Sequence, residues 1–275
     1  MVEPAEKTGM RNAWGRVAES YDEFWAERTV DYTEHGLDLL APDPGARCLD
    51  VGCGPGHTTV ALARRLDGGS ALGVDFAPSM VEMAKERWAG VTGAEFALDD
   101  AEHLDQPDGV FDIVTSTFAL MYCYDALAAI GNWQRVLRPG GRLMSVVWGA
   151  HNRVWWSPVI DIIESRASYY SSVCPMMFFY GMPGVLARMV EQMGLEVEGT
   201  TTVTTPMVFA DVDEAVRAAI LAGPLAGLFT NRLDEAAQAE AWAEMERHVA
   251  SVAEPVKDGI AVPSETSVLL ARRPR

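Results

Sequence analysis

The sequence predicts an α/β fold: a seven-stranded, mostly parallel sheet whose last strand runs antiparallel, with an added helical cap. Three observations predict it. Between residues 46 and 149 short apolar runs alternate with helix-like runs. Strands that are apolar throughout are buried on both faces, and intervening helices make their pairing parallel. A glycine turn, Gly52-Cys53-Gly54-Pro55-Gly56, joins the first strand to the first helix after it. Near the end of the chain, 195–209 and 260–273 alternate apolar and polar residues, as antiparallel partners do.

Residues 10–40 read as helical, with Trp14, Val17, Tyr21, Phe24 and Trp25 at helix-like spacing, and are expected to pack on the core. RCLDV is the first strand, and TTVALARRL the helix after the glycine turn. SALGVDF (70–76) is the second strand. APSMVEMAKERWA is a helix, with Pro78 in its first turn. AEFALD (94–99) and FDIVTST (111–117) are the third and fourth strands. DALAAIGNWQRVL (125–137) is a helix stopped by Pro139-Gly140-Gly141, and RLMSVVWG (142–149) is the fifth strand. Residues 153–181 are rich in aromatics and methionine: Trp155, Trp156, Tyr169, Tyr170, Met176, Met177, Phe178, Phe179 and Tyr180. Such side chains suit an apolar acceptor pocket or the core of a cap helix. PGVLARMVEQMGL is a helix ending near Gly194, and 211–256 read as helices. The chain therefore reads as a single Rossmann-like domain over 1–275. Its core is 41–149, 186–210 and 259–275; its cap is 1–40, 150–185 and 211–258.

Composition narrows the function. The formal net charge of −17 argues against a nucleic-acid backbone or an anionic membrane surface as partner. It suits a small neutral or cationic ligand, although solubility alone accounts for such a charge. No run approaches the roughly 18 apolar residues of a membrane helix, and the N-terminal MVEPAEKTGMRNAW has no apolar core. A cytoplasmic protein, monomer or homodimer, is expected, with its four cysteines reduced. The five histidines are scattered, without HxxxH or HExxH spacing, so no metal is expected.

The glycine turn is the centre of the functional reading. A dinucleotide fold asks for G-x-G-x-x-G, but here the third place holds His57. Asp75, at the end of the second strand, can accept two hydrogen bonds from vicinal ribose hydroxyls, or cap the Pro78 helix, or both. Asp99 and Asp100 end the third strand, where a carboxylate can accept from an exocyclic adenine amine. All these strand ends fall on the edge of a parallel sheet where ligands bind.

LDVGCGPG, GVDFAPSM, DDAEHL, FDIVTSTFAL and LRPGGRL, in this order and spacing, resemble the class I S-adenosylmethionine (SAM) methyltransferases, and within them the type-11 group of quinone-biosynthesis and natural-product enzymes. WGRVAESYD resembles that group's N-terminal segment, and VPSETSVLLARRP its last strand. The resemblance implies SAM as cofactor and S-adenosylhomocysteine as product. It implies that Gly52, Gly54 and Gly56 line the methionine part, that Asp75 takes the ribose, and that Phe76 and Met80 flank the adenine. It assigns the adenine edge to Asp100 and the Ala101 backbone, the methionine end to Thr117 and Phe118, and closure over the cofactor to Tyr21. The expected reaction moves a methyl group to carbon or oxygen of a small, partly apolar acceptor, aromatic ones included, in bacterial specialised metabolism. Tyr122 and His151 follow strands at the ligand edge and are the candidates for a base; each also reads as pocket wall or as a solvated loop residue. Alternatives are a non-methylating SAM-binding protein such as a cyclisation aid, a module with a dead site, and an NAD(P)-dependent oxidoreductase. The last is disfavoured by the glycine spacing and the lack of a Tyr-x-x-x-Lys pair.

Overall fold

The computed structural model describes residues 4–168, 174–221 and 224–275. Tyr169 and Tyr170 of the aromatic stretch lie outside the described residues, as does the side chain of Cys174.

The strands are β1 (Arg47–Val51), β2 (Ser70–Asp75), β3 (Ala94–Leu98), β4 (Phe111–Thr117), β5 (Leu137–Trp148), β6 (Glu196–Phe209), β7 (Glu254–Val256) and β8 (Gly259–Arg272). The sheet order is β3-β2-β1-β4-β5-β8-β6, with β7 paired to β8. β1 to β5 are parallel to one another, and β8 lies antiparallel between β5 and β6. The seven long strands and the antiparallel last strand match the expected architecture. From β1 the chain goes first to one side (β2, β3) and later to the other (β4, β5). The ends of β1 and β4 therefore form the switch point at which open α/β sheets bind ligands.

The helices are α1 (Ala5–Arg16), α2 (Ala18–Tyr21), α3 (Val30–Leu40), α4 (His57–Arg65), α5 (Pro78–Arg87), α6 (Ala126–Val136), α7 (Ser157–Ala167), α8 (Cys174–Phe179), α9 (Val185–Gln192), α10 (Val212–Leu221), α11 (Pro224–Arg232) and α12 (Glu235–Val252). Local chemistry sets their starts. Pro78 opens α5 at its first turn. Asp125 and Asp234 cap α6 and α12 by accepting from Ala128 N–H (2.9 Å) and Ala237 N–H (2.8 Å). None of the described helices is long and apolar enough to cross a membrane.

The expected helical segment over 10–40 is present, divided into α1, α2, a π-helical turn at Asp22–Ala26 and α3. The structure corrects two readings. β5 begins at Leu137 and runs through Pro139-Gly140-Gly141, because Phe111 pairs with Leu137 before the register shifts to Ile113 with Arg142. The expected helical run to 256 ends at Val252. Pro255 cannot continue a helix, and 254–256 instead form β7 in a hairpin with β8.

Candidate functional site

The site grows from the end of β1. Gly52 N–H and Cys53 N–H both donate to Val74 O on β2, at 2.8 and 3.0 Å. This tie bends the chain into the turn. Gly52 has φ +73°, and a Cβ there would collide with Ala119. Glycine is therefore needed twice over, for the backbone angle and for the close approach. Gly54 N–H donates to Asp75 Oδ2 (2.9 Å), and Asp75 Oδ1 accepts from Ala77 N–H (2.9 Å). One carboxylate thus pins the glycine turn and the entry to α5 together. Burial pushes the Asp75 carboxyl above its ordinary value, and the backbone N–H groups it accepts from pull it back part of the way.

These elements enclose a cavity of about 670 Å3, open mouth included, within the size range of small-molecule sites. Its walls bring together Tyr21, Gly52, Gly54, Asp75, Phe76 and Met80 with Asp100, Ala101, Thr117, Phe118 and Tyr122. Eleven residues expected at the site from the sequence thus converge on one space. A second cavity of about 460 Å3 adjoins it and shares Tyr21, Gly52, Gly54, Thr117 and Phe118. There the Thr117 and Thr58 hydroxyls pair at 3.0 Å. Phe118 carries φ +54°, unusual for a bulky residue. Its N–H donates to Val146 O (2.8 Å), and its ring packs 4.4 Å from that of Trp148.

Two of the expected residues lie elsewhere. Gly56 lines neither cavity. It opens α4 with φ +90°, and a Cβ on it would press into the Phe96 ring and Trp88. Its place in the structure is the packing of the turn against β3 and α5. His151 also lines neither cavity. Beyond β5 the chain is tied back by Gly149 N–H to Glu265 O (2.7 Å). His151 then pairs with Asp161 of α7 at 3.1 Å and meets the Phe178 ring edge-on. The aromatic stretch is not an open pocket either. Trp155, Trp156, Met177, Phe178 and Tyr180 are buried in the core and line neither cavity.

Asp99, offered with Asp100 as an acceptor for the adenine amine, also lines the cavity, and four further lining residues were not singled out as ligand contacts: Trp14, Glu102, Ala119 and Cys123. Trp14 of α1 sits edge-on to Tyr21 (5.3 Å) and Tyr122 (4.7 Å), so the N-terminal segment forms one wall. Burial raises the Tyr21 hydroxyl to about 12, with Asp75 adding to the shift, and also pushes up the Cys123 thiol. Both groups are neutral near pH 7. The segment 99–102 is organised by its own acids. Asp99 Oδ1 accepts from Asp100 N–H (2.8 Å) and Asp105 N–H (3.1 Å), and Asp100 Oδ1 accepts from Glu102 N–H (3.0 Å).

The chain is similar in sequence and fold to known proteins. The methyltransferase domain family matches residues 48–141. A demethylmenaquinone methyltransferase of Staphylococcus aureus (strain JH9) is 38% identical over 180 residues, covering 62% of this chain and 71% of that protein. The chain spans about half the length of the first curated relatives it matches. Among solved structures, the YcgJ protein of Bacillus subtilis has a TM-score of 0.60 at 19% identity, covering 88% of this chain and 99% of that one. The [4+2]-cyclase SpnF has a TM-score of 0.56 at 22% identity, covering 89% and 80%. At these identities the two structures speak for the fold alone. Taken with the curated relative, which is matched over more than two thirds of its length, they place the chain in the class I SAM-dependent methyltransferase family.

Proposed function

We propose that this protein transfers a methyl group from SAM to carbon or oxygen of a small, partly apolar acceptor. The observation that carries the reading is Asp75. It is a carboxylate at the end of β2, fixed by Gly54 and Ala77 and facing the cavity at the sheet's switch point. A carboxylate has about four lone-pair sites, so two backbone bonds leave it able to accept from a pair of ribose hydroxyls.

The other walls suit the remainder of the cofactor. Phe76 and Met80 offer apolar surface for the adenine faces, and Asp100 with the Ala101 backbone offers polar atoms for its edge. Gly52 and Gly54 expose main chain, and the adjoining cavity with Thr58 and Thr117 has room and hydroxyls for an amino-acid tail. Gly56 supports the turn from behind. When bound, SAM supplies an electrophilic methyl group on a positively charged sulfur. The protein's part is to hold donor and acceptor in line and to exclude water. Trp14, Tyr21, Phe118 and Tyr122 surround the space with rings, whose faces also favour a cation. Tyr122 is the candidate to touch the acceptor.

Calorimetry with SAM, NAD and NADP, followed by an acceptor screen reading S-adenosylhomocysteine, tests the proposal. Micromolar SAM binding and S-adenosylhomocysteine formation support it. Acceptor conversion without S-adenosylhomocysteine would replace methyl transfer by a non-methylating use of SAM. Binding of a dinucleotide in place of SAM would overturn it.

A further inference from the structure

Lys7 is one of only three lysines in the chain, and α1 buries it. Its Nζ lies 2.5 Å from Asp100 Oδ2 and 2.9 Å from Glu102 Oε2. The Lys7 and Glu102 side chains are 6% and 5% exposed, whereas Asp100 is 32% exposed. Each carboxylate's other oxygen takes one backbone N–H, and an oxygen with two lone pairs keeps room for a second donor. Asp100 Oδ1 takes Glu102 N–H, and Glu102 Oε1 takes Tyr124 N–H (2.7 Å). His103 Nδ1 stands 3.5 Å from Asp100 Oδ2. An ammonium from the N-terminal helix therefore holds two carboxylates that both line the cavity. Neutralising a buried glutamate does not require a second acid at shorter range; the arrangement fixes the rotamer of Asp100, the member that reaches solvent. A buried charge with so many partners has one geometry, because leaving any of them unpaired is costly.

We infer that Lys7 is a positioning residue for base recognition. By gripping Asp100 Oδ2 from outside the cavity, it presents that carboxylate as a fixed acceptor for an exocyclic amine, and so selects adenine over a 6-oxo purine. Lys7 does not touch the cofactor; it acts through Asp100. The inference rests on the reading that the cavity takes the adenosine end of SAM. It also makes α1 part of the specificity apparatus: the helix that supplies the Trp14 wall supplies the charge that orients the acid opposite.

The test uses the full chain and compares two ligands by calorimetry: S-adenosylhomocysteine, and S-inosylhomocysteine, which carries an oxygen in place of the 6-amino group. The wild type should prefer the adenine ligand by roughly tenfold or more, as expected for a hydrogen bond to a charged acceptor. Lys7→Met should shrink that preference at least fivefold, mainly by weakening the adenine ligand, and Lys7→Arg should restore most of it. If Lys7→Met fails to fold, Lys7→Met/Glu102→Gln removes the buried charges together and should show the same loss of preference. An unchanged preference in Lys7→Met or in the double variant, or an equal weakening of both ligands there, would overturn the inference and leave Lys7 a purely structural cation. The prior reading fails separately. If the wild type binds neither ligand, the cofactor assignment is wrong. If it binds both equally, Asp100 does not read the base, and the assignments of Asp75 and of the reaction stand without this one.

Discussion

Two aromatic groups lie on either side of Phe118, and they do different things. On one side Trp14, Tyr21 and Tyr122 meet edge to face, with Phe76 and Met80 nearby, and their exposed surfaces form cavity wall. On the other side Trp25, Trp148, Trp155 and Trp156 pack against one another at 5.6–6.4 Å, all 4% exposed or less. Phe118 belongs to both, lining the cavity and packing at a tilt on Trp148. Identical residue types thus serve as binding surface and as dry core. What separates them is which side of the switch point each element reaches.

The largest effect should come from the dry side. Trp148 touches Trp25, Tyr32, Phe118 and Trp156. Trp148→Ala should cost about 3–5 kcal/mol of stability, the usual range for a buried tryptophan, read as a lower midpoint in urea at unchanged slope. A loss below about 1 kcal/mol would mean that the group is loosely packed and able to open, and the contrast with the cavity side would collapse.

The same division separates two buried aspartates on neighbouring strands. Asp50, fully buried in β1, accepts from the hydroxyls of Thr59 (2.7 Å) and Thr115 (2.8 Å) and lines neither cavity. Burial raises its carboxyl to about 6, the two hydroxyls opposing the shift. The sign follows from linkage. A carboxyl whose folded value is raised contributes stability at low pH, and that contribution is lost as pH rises from about 4 through about 6. Asp50→Asn should therefore be more stable relative to wild type at pH 8 than at pH 4.5, by about 2 kcal/mol. A pH-independent difference between the two proteins would show that Asp50 titrates normally.

Asp75 sits on the cavity side of that comparison. Asp75→Ala should weaken SAM binding by roughly tenfold or more, since a charged hydrogen bond is worth about 1.5–3 kcal/mol. Asp67→Ala, an exposed acid in the loop after α4, should leave affinity unchanged. Equal affinities in the two variants would remove the ribose assignment.

Much of this was legible in the sequence, for a physical reason. The strand ends carrying Asp75, Asp100 and Thr117 are local features. Parallel pairing then forces local features at strand ends onto one edge, so their order along the chain already determines their meeting. The glycine turn was legible in the same way, except that spacing could not tell a glycine that faces ligand, Gly54, from one that faces Phe96 and Trp88, Gly56. The aromatic stretch after β5 was legible only as a choice between acceptor pocket and core, and the structure takes the core. Composition reports apolar side chains but not what buries them, and here Trp155 and Trp156 meet Trp25, contributed by the distant N-terminal segment. Lys7 was illegible for a related reason. Its partners are 93 and 95 residues away, and a lone lysine on a polar helix face gives no sign of them.

His151 follows β5 on the ligand edge by sequence, yet its ring packs on Phe178, at the rim of the dry group, and its nitrogen pairs with a half-exposed aspartate, Asp161. Exposed ion pairs of this kind contribute about 0–1 kcal/mol. His151→Ala should therefore lower stability by no more than that and leave SAM affinity within about twofold, a difference of about 0.4 kcal/mol. The informative measurement is turnover once an acceptor is found. If His151→Ala loses turnover at unchanged SAM affinity and stability while Tyr122→Phe keeps it, the loop must swing over the cavity during the reaction. The dry group would then supply a moving part, and the boundary drawn at Phe118 would be a hinge. If turnover is unchanged, the acceptor meets only the walls contributed by α1 and by the segment after β4.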